Sequence, residues 1–142
     1  MSRERQTEQL FFDPAHTGFN ATSVDAAANG RWMPCTGYNQ LTLEIFYDRA
    51  AGTGLEFYLE TSPTDPSSAV AEASAGFIMA GDLASTGIET LTKRKWLRTV
   101  SADDRFMVNI PINCRWVRIA DMLSTGSPSG DLATVYATLG AV

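Results

Sequence analysis

Tyr38-Asn39-Gln40-Leu41-Thr42-Leu43-Glu44-Ile45-Phe46-Tyr47-Asp48-Arg49-Ala50-Ala51-Gly52-Thr53-Gly54-Leu55-Glu56-Phe57-Tyr58-Leu59-Glu60 is the stretch that decides the fold class of this chain. Leu41, Leu43, Ile45 and Tyr47 alternate with Thr42, Glu44 and Phe46, the period-two pattern of a strand with one buried face. The run from Leu55 to Glu60 alternates again. Between the two runs Gly52 and Gly54 tolerate the positive φ that a reversing chain needs, which predicts an antiparallel hairpin. In its expected register Tyr47 lies opposite Leu55, Ile45 opposite Phe57 and Leu43 opposite Leu59, all on the core face. Thr42, Glu44, Glu56 and Glu60 take the other face.

Working outward, strand signals recur to the end of the chain. Phe106, Val108, Ile110 and Ile112 alternate with Met107, Asn109 and Pro111, and Pro111, which cannot donate to a ladder, predicts an edge or a kink there. Cys114 to Met122 and Leu132 to Leu139 read as two more strands, joined by Ser124-Thr125-Gly126-Ser127-Pro128-Ser129-Gly130. Val117, Ile119, Val135 and Leu139 are expected inward, with Ala133 and Ala137 as small partners. If Val117 faces Val135, Trp116 lies opposite Tyr136 on the outer face, a subunit contact or a sugar-stacking platform; a slip of one residue makes Trp116 core instead. Thr61 to Ser68 is a turn-rich loop. Alanines from Ala69 to Ala75 favour helix, while the glycines around Phe77-Ile78-Met79 favour a short strand over Phe77 to Ala80. Ile88 to Val100 contains a further strand. With no long amphipathic helix, the expected fold is all-β, two packed antiparallel sheets over residues 31–142.

The first thirty residues differ. Leu10-Phe11-Phe12 reads as an arm or a first edge strand, and His16 to Gly30 shows no sustained period of either kind. Leu10, Phe11, Phe12, Phe19 and Val24 are its sizeable apolar anchors. Spaced as they are, they predict an irregular arm, residues 1–30, held by a neighbouring subunit or by the domain's own flank, and expected as a strap across an adjacent subunit or coat protein with Phe11 and Phe12 inserted in a pocket there.

At 142 residues the chain is one domain's worth, and its 44% hydrophobic and 19% charged fractions are those of a globular protein. A formal net charge of -5 argues against general nucleic-acid binding, which needs clustered Lys and Arg to replace counterions. No run has the length of a membrane span, and Met1 to Gln6 offer no apolar stretch for a signal peptide, so synthesis in a cytoplasm is expected. Cys35 and Cys114 lack metal-ligand spacing and are expected as reduced thiols, a single bridge between them being the alternative.

Chemistry-bearing constellations are scarce. His16 is the lone histidine, in the irregular arm. No serine stands in a Gly-x-Ser-x-Gly elbow. Asp103-Asp104, or Glu44 with Glu56 and Glu60, are the carboxylates available for glycoside hydrolysis, although outer-face positions of strands are commonly acidic in any β-protein. No metal or cofactor is expected. Lys93-Arg94-Lys95 with Arg98 is open to two readings: a grip on an acidic partner, or the charged edge by which β-proteins avoid strand-to-strand aggregation.

In Tyr38-Asn39-Gln40-Leu41-Thr42-Leu43-Glu44-Ile45, the glycine-containing reversal after it, Trp116-Val117-Arg118-Ile119 and the terminal Ala133-Thr134-Val135-Tyr136-Ala137-Thr138-Leu139-Gly140, the chain resembles small jelly-roll virion proteins of tailed bacteriophages. It is most similar in style to the capsid decoration, or cement, proteins. The resemblance covers Cys35 to Val142; the arm before it departs from the pattern. It implies a non-enzymatic homo-oligomer, a trimer by preference, on the capsid surface, bridging subunits of the major capsid protein or other virion proteins and binding neither nucleic acid nor membrane. Candidate contact residues are Leu10, Phe11, Phe12, Phe19, Lys93, Arg94, Lys95, Arg98, Trp116 and Tyr136. Other readings are a different head or tail component, a carbohydrate- or receptor-binding module with Trp32, Tyr38, Trp96 and Trp116 as stacking aromatics, and a hydrolase with a carboxylate pair.

Overall fold

A computed structural model describes residues 8–63, 65–66, 77–78, 80–83, 91–93 and 95–141, with no side-chain description within 77–93. Its long strands are those that the alternation marks: β4 (Gln40–Asp48), β5 (Gly54–Ser62), β10 (Asp104–Pro111), β11 (Trp116–Thr125) and β12 (Leu132–Gly140). Short strands complete them: β1 (Gln9–Phe12), β2 (Thr22–Ser23), β3 (Met33–Pro34), β6 (Phe77–Ile78), β7 (Ala80–Leu83), β8 (Leu91–Lys93) and β9 (Trp96–Thr99). Of the expected strand at Phe77 to Ala80, Phe77–Ile78 is β6 and Ala80 opens β7, while Met79 lies outside the described residues. Residues 69–76, where helix and strand competed, lie outside the described residues.

Two antiparallel sheets pack as a sandwich. The first has the order β1-β12-β4-β10, with β2 also on β12; the second has the order β3-β11-β5-β6, with β9 also on β5. β7 and β8 pair separately. From β9 onward the chain changes sheet at every connection, a winding of the jelly-roll kind.

The faces are as the alternation predicts, but the partners are not. Leu41, Leu43, Ile45, Tyr47, Leu55, Phe57 and Leu59 are all buried in one core with Val117, Ile119, Ala133, Val135, Ala137 and Leu139. The expected β4–β5 hairpin is corrected: β4 pairs with β12 and β10, and β5 with β11, β6 and β9. The link from Asp48 to Thr53 arches from one sheet to the other, so the core residues of β4 and β5 meet across the sandwich instead of along a ladder. Alternation reports only which face is buried, and an arch and a hairpin bury the same face. The Trp116–Tyr136 pairing falls for the same reason. Trp116 lies opposite Pro34 and Ser62 in the second sheet, Tyr136 opposite Glu44 in the first. Pro111 does lie on an edge strand, β10.

The arch is held by one buried carboxylate. Asp131, fully shielded from solvent, accepts through Oδ1 from the N–H of Ala50 at 2.7 Å and from the hydroxyl of Tyr47 at 3.1 Å. The N–H groups of Gly52 and Ser129 donate to Oδ2, at 3.2 and 3.1 Å. Tyr47 Oη also lies 2.6 Å from Ser124 Oγ. Burial raises the Asp131 pKa, but the hydrogen bonds from Ala50, Gly52, Ser129 and Tyr47 outweigh it and hold the carboxyl below its ordinary range. Gly52 is needed here for space, since a methyl on it would collide with Ser124 Oγ and the Tyr47 hydroxyl. Positive φ is found instead at Gly18, Gly37, Gly126 and Gly130.

The amino-terminal segment is part of the sandwich. β1 pairs with the end of β12 from Gly140 to Ala137, and β2 pairs with its start at Leu132 and Ala133. Between them a four-residue helical turn, Pro14–Thr17, begins at Asp13, which accepts from the His16 N–H, and ends at Gly18 in the left-handed region. Thr17 Oγ1 donates to the Val135 carbonyl at 2.8 Å and the Val135 N–H to the Phe19 carbonyl at 2.9 Å. At Val24 the segment changes sheet: its N–H donates to the Asp131 carbonyl at 3.1 Å and its carbonyl accepts from Ser124 at 2.7 Å. The chain then follows the edge of β11 through an Ala28–Met122 bridge and β3. One strap thus covers the β12 edge and then the β11 edge, closing that side of the sandwich. The expected docking of Phe19 and Val24 on another subunit is corrected, because both are completely buried in this chain's own core. Leu10 and Phe12 also pack against that core. Phe11, pointing the other way on the same strand, stays exposed.

Candidate contact face

Outward-facing positions on the first sheet follow from register. Phe11 comes from β1, Tyr136 from β12, Glu44 and Phe46 from β4, and Arg105 and Met107 from β10. Their rings form a row across the strands: Phe11 and Tyr136 have centroids 6.2 Å apart, and Tyr136 and Phe46 are 5.8 Å apart in an edge-on arrangement. The Arg105 guanidinium ends the row, 4.6 Å above the Phe46 ring, and pairs with Glu44. Phe11 is 61% exposed and Met107 64%, and both belong to this face. A hollow of about 520 Å³ bordered by Phe46, Asp48, Asp103 and Arg105 adjoins it. Of the residues expected at an interface, Phe11 and Tyr136 therefore lie together on an open surface. Phe46 and Met107 were not singled out by the sequence reading, because a lone outer-face apolar residue carries no signal until its neighbours across the sheet are known.

Of the remaining candidates, Arg98 and Lys95 are engaged in ion pairs within the chain. Arg98 pairs with Asp104 at 2.8 Å and lies 5.5 Å over the Phe106 ring, linking β9 to β10. Lys95 pairs with Glu56 at 3.3 Å. Lys93 belongs to β8, and Arg94 lies outside the described residues. Trp116 is half-buried on the outer face of the second sheet, opposite Pro34, and Arg118, two residues on, sits 4.8 Å over the Trp32 ring. Trp96 stacks on Phe57 with centroids 5.5 Å apart, and Tyr38 packs against the core. The four aromatics proposed for sugar stacking thus form no single strip.

The carboxylates are similarly separated. Glu44 is on the outer face of the first sheet, whereas Glu56 and Glu60 are on the outer face of the second. Glu56 and Glu60 are four residues apart on one strand, roughly 13 Å, beyond the spacing of a glycosidase pair. Each also has a cation, Lys95 for Glu56 and Arg118 for Glu60, the latter at 2.6 Å. Among the described residues, three or more potential metal ligands are not grouped anywhere. None of the described helices is long and apolar enough to cross a membrane.

Fold and surface define an antiparallel β-sandwich closed on one side by its own amino-terminal strap, with an aromatic row on one outer face. No family model and no curated protein matches the chain. Among solved structures it is similar to the SPBc2 prophage-derived protein YomS, with a TM-score of 0.53 and 13% identity over 99% of this chain and 100% of that one. At that identity the likeness is one of fold.

Proposed function

We propose that this protein is a structural component of a phage virion, and specifically a non-enzymatic decoration protein of the capsid surface that binds coat subunits through the outer face of its first sheet. The observation that carries this reading is the outward-facing row Phe11–Tyr136–Phe46–Arg105, with exposed Phe11 and Arg105 at its ends, half-buried Tyr136 and Phe46 between them, and exposed Met107 beside it. Aromatics, Met and Arg are the residues that concentrate in protein contacts, and water-exposed apolar clusters mark such sites. The full-length likeness to a prophage-derived protein supports the phage setting, as does the sequence resemblance to decoration proteins. In this reading the strap keeps the β12 and β11 edges paired, so that association runs through side chains on a sheet face.

The test is co-sedimentation with phage heads that lack the protein. Wild type is expected to pellet with the heads, and the double variant Phe11→Ser, Tyr136→Ser to bind at least about tenfold more weakly while keeping its fold, since cross-strand pairs on an exposed face contribute only about 0.2–1 kcal/mol each. Equal binding of the variant would overturn the face assignment. No binding of the wild type would overturn the decoration reading.

A further inference from the structure

Cys35 and Cys114 come from opposite ends of the chain's path and meet where the strap ends. Cys35 follows β3, and its N–H donates to the Arg115 carbonyl at 2.8 Å. It then opens a tight turn, Tyr38 N–H to Cys35 carbonyl at 3.0 Å, in which Gly37 takes the left-handed φ of 87°. Cys114 precedes β11. Both are free thiols, and their sulfurs are 3.3 Å apart. The Cys35 thiol is also 3.2 Å from the Cys114 carbonyl.

The two sulfurs are not equivalent. Cys35 is buried, whereas Cys114 is half-buried and lines an open groove of about 440 Å³ together with Tyr38, Pro63, Asn113 and Arg115. The Cys35 thiol's hydrogen bond lowers the Cys114 pKa. The same interaction, with burial, raises that of Cys35. Thiolate character and access thus coincide at Cys114.

We propose that Cys114 is a thiol-modification site for low-molecular-weight disulfides and Cys35 its resolving thiol, so that oxidation staples the end of the strap to the start of β11. In the first step the Cys114 thiolate attacks one sulfur of glutathione disulfide; a protein–glutathione disulfide forms and one glutathione thiolate leaves. In the second, Cys35 loses its proton and attacks Cys114 Sγ; the Cys35–Cys114 bond forms and the second glutathione thiolate leaves. Two electrons pass from the thiol pair to the small disulfide, which ends as two molecules of glutathione. Because the sulfurs already touch and the Cys35 N–H is bonded to the carbonyl of Arg115, next to Cys114, the second step needs little backbone movement. The bond would close a loop across a sequence separation of 79 residues, removing much freedom from the unfolded chain. This inference is independent of the virion assignment.

The experiment is incubation of the reduced full-length protein with glutathione disulfide under native conditions, followed by acid quench and intact mass measurement. Wild type is expected to lose both free thiols and the mass of two hydrogen atoms, to retain no glutathione, and to melt about 5 °C or more higher than the reduced form. Cys35→Ser should stop as the glutathione adduct at Cys114, and Cys114→Ser should stay unmodified. Persistence of both thiols in the wild type, disulfide-linked dimers, or modification of Cys114→Ser as fast as Cys35→Ser would each overturn the proposal. The wild-type result decides even if a variant fails to fold.

Discussion

Asp131 shows what a single side chain does here that no sequence pattern announces. It sits beside the glycine- and serine-rich connection before β12, where an aspartate ordinarily reads as a turn residue, yet it is buried and satisfied by donors from the β4–β5 arch, the loop before β12 and Tyr47. Asp131→Asn would turn donors against donors, and its expected cost in urea unfolding is about 2–3 kcal/mol. The pH dependence has a definite sign. A carboxyl held below its unfolded value contributes stability fully above the unfolded pKa, about 3.9, and loses it as pH falls through the folded pKa. Wild-type stability should therefore fall below about pH 4, and the Asn variant should show a shallower fall. Gly52→Ala, which drives a methyl into the Tyr47–Ser124 contact, should cost about 2–4 kcal/mol by the same measurement. Gly52 was legible as a special position but for the wrong reason: sequence cannot distinguish a glycine needed for φ from one needed for room.

Individual strands were legible and their partners were not. Period two places Leu43, Ile45, Phe57 and Val135 inward with no knowledge of topology, because each strand independently hides one face. Which strands pair depends on whether the link after Asp48 turns back or arches over, and that is fixed by distant groups such as Asp131. The strap was illegible for a related reason. Its strands are only a few residues long, too short for periodicity, and its hydrogen bonds go to β12 and β11, far along the chain. A further irregularity lies in β11, where the register against β5 shifts between Ala120 and Leu123 and Asp121 takes a positive φ of 48°. The bulge moves the buried positions from Ile119 to Met122 and Ser124, so strict alternation fails there. Removing residues 1–12 should lower unfolding stability by about 2–4 kcal/mol, through lost packing of Leu10 and Phe12 and lost pairing to β12. A truncated protein as stable as the full chain would mean that β1 contributes nothing to this domain.

At the scale of the molecule the two outer faces and two sides have different characters. One side is sealed by the strap, and the other ends in β10, where Pro111 and the Arg98–Asp104 pair discourage further strand addition. The second sheet's outer face carries the ion pairs Glu56–Lys95 and Glu60–Arg118 with Trp116, Trp32 and the exposed Leu97, and the first carries the Glu44–Arg105 pair within the row from Phe11 to Arg105. Sequence reasoning reached Phe11 and Tyr136 as contact candidates but could not join them, since only the β1–β12 and β12–β4 registers bring Phe11, Tyr136 and Phe46 together. Whether the first sheet's outer face meets the coat of a phage head, as proposed, is tested most directly by an electron cryo-microscopy map of the virion. The expected map shows the sandwich bound on the outside of the shell with Phe11, Phe46 and Tyr136 turned toward coat protein. A map with the protein absent from the particle, or present with that row facing solvent, would contradict it.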